Sequence, residues 1–201
     1  VEHILREGRT DLRHLPFVTI DPKTAKDFDD AVCLIEENGK RTLWVAIADV
    51  AHYIEPETLL DDEAKARATS VYLPHAVLPM LPSRLSDNLC SLRAKVPRLA
   101  MTVSMEIEND CTIGNVAAFE SIIEVQENLS YEDALDNPKF QNMMDLAEEL
   151  RRNEIRLNLN SAELRPRVHE DEITVNVKWP NKATEMIETF MVATNNSIGI
   201  L

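Results

Sequence analysis

Short runs in which apolar and β-branched residues dominate, set between polar stretches, predict strands at "FVTI" (17–20), "AVCLIEE" (31–37), "TLWVAIADV" (42–50), "LAMTVSMEIE" (99–108) and "ITVNVKW" (173–179). "ENGK" at 37–40 predicts a tight hairpin turn between two of them, because Asn-Gly suits positions that need positive φ. Apolar residues recur at helical spacing in 56–72, 131–159 and 184–201. Ser130 is placed to cap the second helix, and Pro138 to break it into a short turn and a longer helix. The stretch 72–92 carries Pro74, Pro79 and Pro82, which exclude a regular helix or a central strand and predict an ordered loop. Strands and helices are interspersed without a βαβ rhythm. The pattern therefore predicts an α+β fold with a mixed, largely antiparallel sheet packed with helices.

Composition narrows the class. The 201 residues are 44% hydrophobic with a mean hydropathy of -0.23, the range of a globular domain. There is no repeat, low-complexity tract or linker, so one structural unit is expected. No apolar run approaches the roughly 20 residues that cross a bilayer, and the charged opening "VEHILREGRTDLRH" is not a signal peptide. A cytoplasmic protein without membrane partners is expected. Cys33, Cys90 and Cys111 are odd in number, far apart and set in apolar surroundings, as reduced core residues would be. The chain starts without Met and stops at "NNSIGIL", and it is read as a fragment of a longer protein.

A formal charge of -14 speaks against nucleic acid, unless metal ions neutralise the site and other domains supply cations. "DPKTAKDFDD" (21–30) bears on that question, since it gathers Asp21, Asp27, Asp29 and Asp30 within ten positions beside an apolar strand. Such crowding is costly unless something positive sits among the carboxylates. Magnesium, with manganese as the alternative, is the natural occupant for hard oxygen donors, and hydrolytic phosphoryl transfer is its commonest use there. The competing reading is a loop of solvated acids helped by Lys23 and Lys26. An EF-hand does not fit, because the loop lacks Gly at its sixth position and Glu at its twelfth.

"FVTIDPKTAKDFDDAV", "LWVAIADVAHYI", "SVYLPHAVLPMLPSRLSDNLCSL" and "MIETFMVATN" together resemble the catalytic (RNB) domain of the ribonuclease II and ribonuclease R exoribonuclease family. The resemblance runs from about Leu15 to the end. It implies a lead-in segment at 1–14 and, over 15–201, the N-terminal portion of a catalytic domain that continues further. It also implies a processive 3′-to-5′ exoribonuclease that hydrolyses single-stranded RNA to nucleoside 5′-monophosphates with magnesium. The family's metal and catalytic aspartates fall on Asp21, Asp27, Asp29 and Asp30.

Tyr72 matches the family's base-stacking aromatic, and Tyr131 and Glu188 match positions around the 3′-terminal nucleotide and its ribose. The second stacking aromatic would fall near 163–166, where "ELRP" has none; Arg165 offers only a guanidinium plane, so that side stays unassigned. Asn195 and Asn196 share a helix with Glu188 and have no role assigned. His3, His14, His52, His75 and His169 are scattered and read as solvent or loop residues, and Trp44 and Trp179 read as core. The family's arginine-rich segment and flanking RNA-binding domains are absent from these 201 residues, so metal binding with little turnover is expected of this piece alone. A non-catalytic acidic RNA-processing scaffold is the alternative, and a structural calcium-binding module is a weaker one.

Overall fold

The computed structural model describes residues 8–73, 76–153, 162–169 and 172–201. The strands are β1 (Thr10–Asp11), β2 (Val18–Asp21), β3 (Asp30–Glu37), β4 (Lys40–Ala48), β5 (Val71–Tyr72), β6 (Val77–Leu78), β7 (Pro97–Ile107), β8 (Ile113–Glu124), β9 (Glu127–Ser130), β10 (Glu163–His169) and β11 (Glu172–Lys178). The helices are α1 (Leu59–Arg67), α2 (Tyr131–Leu135), α3 (Gln141–Asn153) and α4 (Lys182–Ile198). Seven strands form the main sheet in the order β1-β8-β7-β4-β3-β2-β9. Its centre is antiparallel, while β1–β8 and β2–β9 pair in parallel. The architecture is the expected α+β.

Local chemistry explains these elements. Asn38 and Gly39 take φ of 52° and 76° between the paired residues Glu37 and Lys40, so the "ENGK" turn forms as the sequence predicts. The Ser130 side chain accepts from the Asp133 N–H, and the Asp133 carboxylate accepts from Ser130 in return, a capping box that starts α2. A 3-10 turn at Pro138–Phe140 then separates α2 from α3. α1 is shorter than the predicted 56–72 and buries no residue. The end of the predicted 131–159 helix, at 154–159, lies outside the described residues.

Each face of the sheet carries its own core. Val18, Ile20, Val32, Leu43, Val45, Val103 and Met105 meet α2, α3 and α4 on one side, through residues such as Leu146, Met186 and Phe190. Each such buried side chain contributes roughly 1.5–3 kcal/mol. On the other face Ala31, Cys33, Ala46, Ala48 and Ala100 are small, and they admit Cys90 and Leu92 from an irregular segment. Burial pushes the Cys33 thiol up to about 12 and the Cys90 thiol to about 11, so both stay protonated.

The hydrophobic pattern did not reveal β1, β8, β9, β10 or the small β5–β6 hairpin. β9, "ENLS", is short and polar, and β10 carries Pro166, which its two-stranded setting tolerates. Trp179 is corrected: it is 61% exposed just past β11, because β10 and β11 form a separate hairpin rather than part of the core. Trp44 is half-buried, edge-on to Phe119 with centroids 6.3 Å apart.

Candidate active site

Asp21 ends β2 and lies directly opposite Ser130 on parallel β9, while Asp30 opens β3 opposite Ile47. Between them the chain turns at Pro22, whose carbonyl accepts from Ala25 N–H at 2.8 Å, and then runs over the segment around residue 91. There it is held from several sides. Ser91 Oγ accepts from Phe28 N–H (3.1 Å) and donates to the Lys26 carbonyl (2.7 Å). Leu92 N–H donates to the Phe28 carbonyl and Ala48 N–H to that of Asp29, both at 2.8 Å. The aspartates are thus borne on a loop whose backbone is fixed.

The supporting segment is itself anchored. Arg98 Nε donates to the Ser91 carbonyl (2.9 Å) and its Nη2 to that of Asn88 (3.0 Å). Asn128 donates through Nδ2 to Leu92 O (3.0 Å) and Thr19 Oγ1 (2.9 Å), and accepts from Ala94 N–H (2.8 Å). Ser91 is fully buried, so each of these partners replaces a lost water.

Electrostatics gather the four acids into one field. Withdrawal from water raises Asp21 to about 7; the charges of Asp30, Asp29 and Asp27 add to this, and the Thr19 side chain offsets part of it. Desolvation raises Asp29 to about 6, reinforced by Asp27 and Asp30. Burial also raises Asp30, against a backbone hydrogen bond that lowers it. Oδ2 of Asp21 is buried with no hydrogen-bond partner. Lys23 and Lys26 form no ion pair among the described residues, so they do not neutralise the cluster.

Among the described residues, no three His, Cys, Asp or Glu side chains already stand together as a metal-binding group. The donor set nevertheless suits a hard cation: several carboxylates with raised proton affinity, and one buried oxygen with nothing to bind. A positive charge there would relieve the repulsion that the fold maintains.

The other predicted residues surround this loop to different degrees. The Tyr72 hydroxyl donates to Asp27 Oδ2 at 3.0 Å, and its ring, on the β5–β6 hairpin, is exposed together with Val71, Leu73, Val77 and Leu78. Tyr131 begins α2, one residue beyond the Ser130 that faces Asp21, and the Lys178 ammonium sits 4.9 Å from its ring centroid. Glu188 is exposed on α4, which packs against α2. Asn195 and Asn196 are exposed on the same helix.

Arg165 falls on β10 opposite Asn176, and His169 opposite Glu172. His14 and His52 are exposed, and His3 and His75 lie outside the described residues.

The residues that sequence reasoning missed are Ser91, Asn128, Arg98 and Lys178. One signal for Ser91 was available: a small hydroxyl inside the otherwise apolar "LCSL", where a buried polar group must have partners. The other three act through tertiary contacts that no local pattern announces.

A sequence model of the RNB domain matches residues 9–200. Ribonuclease R of Escherichia coli (strain K12) is 47% identical over 127 residues, which are 63% of this chain and 16% of that protein. The structure of Mycoplasma genitalium RNase R in complex with ribose methylated single-stranded RNA superposes with a TM-score of 0.90 at 31% identity, covering 98% of this chain and 34% of that one. Yeast Ssd1, described as a pseudonuclease, superposes with a TM-score of 0.66 at 20% identity, covering 74% of this chain and 20% of that one, a likeness of fold alone. The chain therefore spans well under two thirds of the length of these relatives.

Proposed function

Since this chain belongs to the RNB-domain family, we propose that it forms the aspartate-bearing part of a 3′-to-5′ exoribonuclease that hydrolyses single-stranded RNA to nucleoside 5′-monophosphates. One observation carries the reading: four acids share a field on a pinned loop, with a buried Asp21 oxygen left unpartnered. Such repulsion serves no packing purpose and persists where function needs it. Asp21, Asp27, Asp29 and Asp30 are the residues that would hold magnesium or manganese. A divalent ion bound there supplies positive charge that activates water and offsets charge on the phosphate.

This chain's own residues do the rest of the positioning. Tyr72 offers an exposed ring for bases to stack on, a sequence-tolerant contact because every base has a π-face. Tyr131 and Glu188 carry groups able to hydrogen-bond a ribose 2′-hydroxyl, the feature that separates RNA from DNA. Ser91 and Leu92 hold the loop backbone so that the carboxylates need not reorganise. RNA as substrate agrees with the M. genitalium enzyme, whose structures hold single-stranded and double-stranded RNA. RNA-binding domains flanking this part in the full-length chain, and a cytoplasmic setting, belong to the same proposal.

The second reading is a non-catalytic RNA-processing scaffold, favoured by one observation: the fold is shared with a protein described as a pseudonuclease. Fold alone does not separate the two readings, whereas turnover does. The test incubates the full-length parent with end-labelled single-stranded RNA and magnesium, beside its Asp29→Asn variant. Release of 5′-monophosphates that the variant loses supports the enzyme. RNA binding without hydrolysis in both proteins would establish the scaffold instead.

A further inference from the structure

RNA brings one negative charge per nucleotide to a chain whose formal charge is -14. Eight of the described cations form ion pairs: Arg9, Arg13, Arg41, Lys65, Arg67, Lys139, Arg151 and Arg152. Lys178 forms none among the described residues. Its ammonium instead lies over the Tyr131 ring, 4.9 Å from the centroid. The residue is half-buried at the end of β11, opposite Glu163 in register.

Three features of this placement matter. Tyr131 follows Ser130, whose strand position faces Asp21 across β2–β9, so the ring ties Lys178 to the border of the aspartate site. An aromatic face attracts an ammonium without neutralising it, which leaves its full charge and free N–H donors for a phosphate. Resting the flexible side chain on the ring also reduces the freedom lost when the phosphate arrives. A carboxylate partner would instead have cancelled the charge.

We propose that Lys178, seated on Tyr131, is a phosphate-contacting residue for the RNA strand entering the aspartate site. The inference rests on the RNA reading above and adds to it a specific electrostatic contact. Lys178 would add a cation from β11 to those of Lys23 and Lys26, which lie on the aspartate loop itself.

The test measures binding of labelled single-stranded RNA in magnesium as salt is raised, in the Asp29→Asn background so that the strand stays intact. Lys178→Gln is expected to lower the slope of log affinity against log salt by about 0.7, the release from one single-strand phosphate contact. Lys178→Arg should keep the slope, and Lys40→Gln, at the far β3–β4 turn, should leave it unchanged. A wild-type slope in Lys178→Gln, even with a lowered melting temperature, overturns the proposal and makes Lys178 a packing residue. Failure of the parent background to bind RNA at all overturns the RNA reading itself, and this inference with it.

Discussion

The hydroxyl of Tyr72 donates a 3.0 Å hydrogen bond to Oδ2 of Asp27, 45 residues earlier in the chain. Its ring is 68% exposed, so this bond, more than packing, sets where the aromatic face points. The two halves of the side chain are separable by substitution. Tyr72→Ala should weaken single-stranded RNA binding about 5- to 150-fold, the equivalent of losing one stacked base. Tyr72→Phe keeps the ring and should retain most of that affinity, while the metal concentration needed for half-maximal activity changes because Asp27 loses its donor. Fluorescence anisotropy and a metal titration measure the two effects, and equal affinity loss in both variants would show that the ring is not the stacking element.

Removing one acid should have opposite effects on stability and activity. Asp29→Asn relieves repulsion from Asp27 and Asp30 and should raise the melting temperature of the metal-free chain at pH 8. It should also shrink the stabilisation that millimolar magnesium gives the parent, and lower RNA hydrolysis on the order of 10²–10³-fold. Scanning calorimetry with and without magnesium checks this; a variant that melts lower than the parent without metal contradicts the repulsion argument.

The same groups set a pH dependence. Asp21 holds its proton more tightly folded, at about 7, than its ordinary value of 3.8, so folding takes up a proton between those values. Stability of the metal-free chain should therefore fall as pH rises through that window, and Asp29, raised to about 6, acts in the same direction. Magnesium needs the ionised carboxylates, so its stabilising effect should grow over the same range. Melting curves at pH 5 and pH 8 test this, with Asp21→Asn expected to flatten the trend; a magnesium increment equal at both pH values would count against metal binding here.

Ser91→Ala removes a buried hydroxyl that serves two loop carbonyl and amide groups at once, and it should cost about 1–3 kcal/mol. Ser121→Ala, which breaks the buried 2.6 Å contact with Thr102 on β7 and β8, supplies a control of similar chemistry away from the loop. Both variants should melt lower than the parent, but only Ser91→Ala should weaken magnesium binding. Equal magnesium affinities in the two would show that the loop holds its shape without Ser91.

Much of the site was legible because its chemistry is local. Four aspartates in ten positions, set between the apolar runs at 17–20 and 31–37, are written in consecutive residues, although β3 begins one residue earlier, at Asp30. The β3–β4 hairpin and strand β7 were equally clear, since β3, β4 and β7 carry dense apolar and β-branched runs. β9 was invisible because "ENLS" owes its strand form to pairing with β2 rather than to its own composition. Trp179 was misplaced for a related reason: its strand pattern is real, but the hairpin it follows stands outside the main sheet. Ser91 and Asn128 reach across 63 and 109 residues, distances at which sequence pattern carries no information about contact.

The parallel pairing of β2 with β9 bears on the order in which this protein acquires its structure. β3–β4 and β7–β8 close through short connections, whereas Thr19 and Asn128 meet across 109 residues. Closing the longer loop carries the larger entropic cost and gains no contacts until the meander exists, so β9 joins late. Asp21 then waits for Ser130, and the acidic field assembles only after the neighbouring strands can hold it together. On the ribosome, the same constraint withholds this carboxylate cluster until the chain has emerged through Ser130, leaving a nascent chain with a formed hairpin core and no assembled aspartate site.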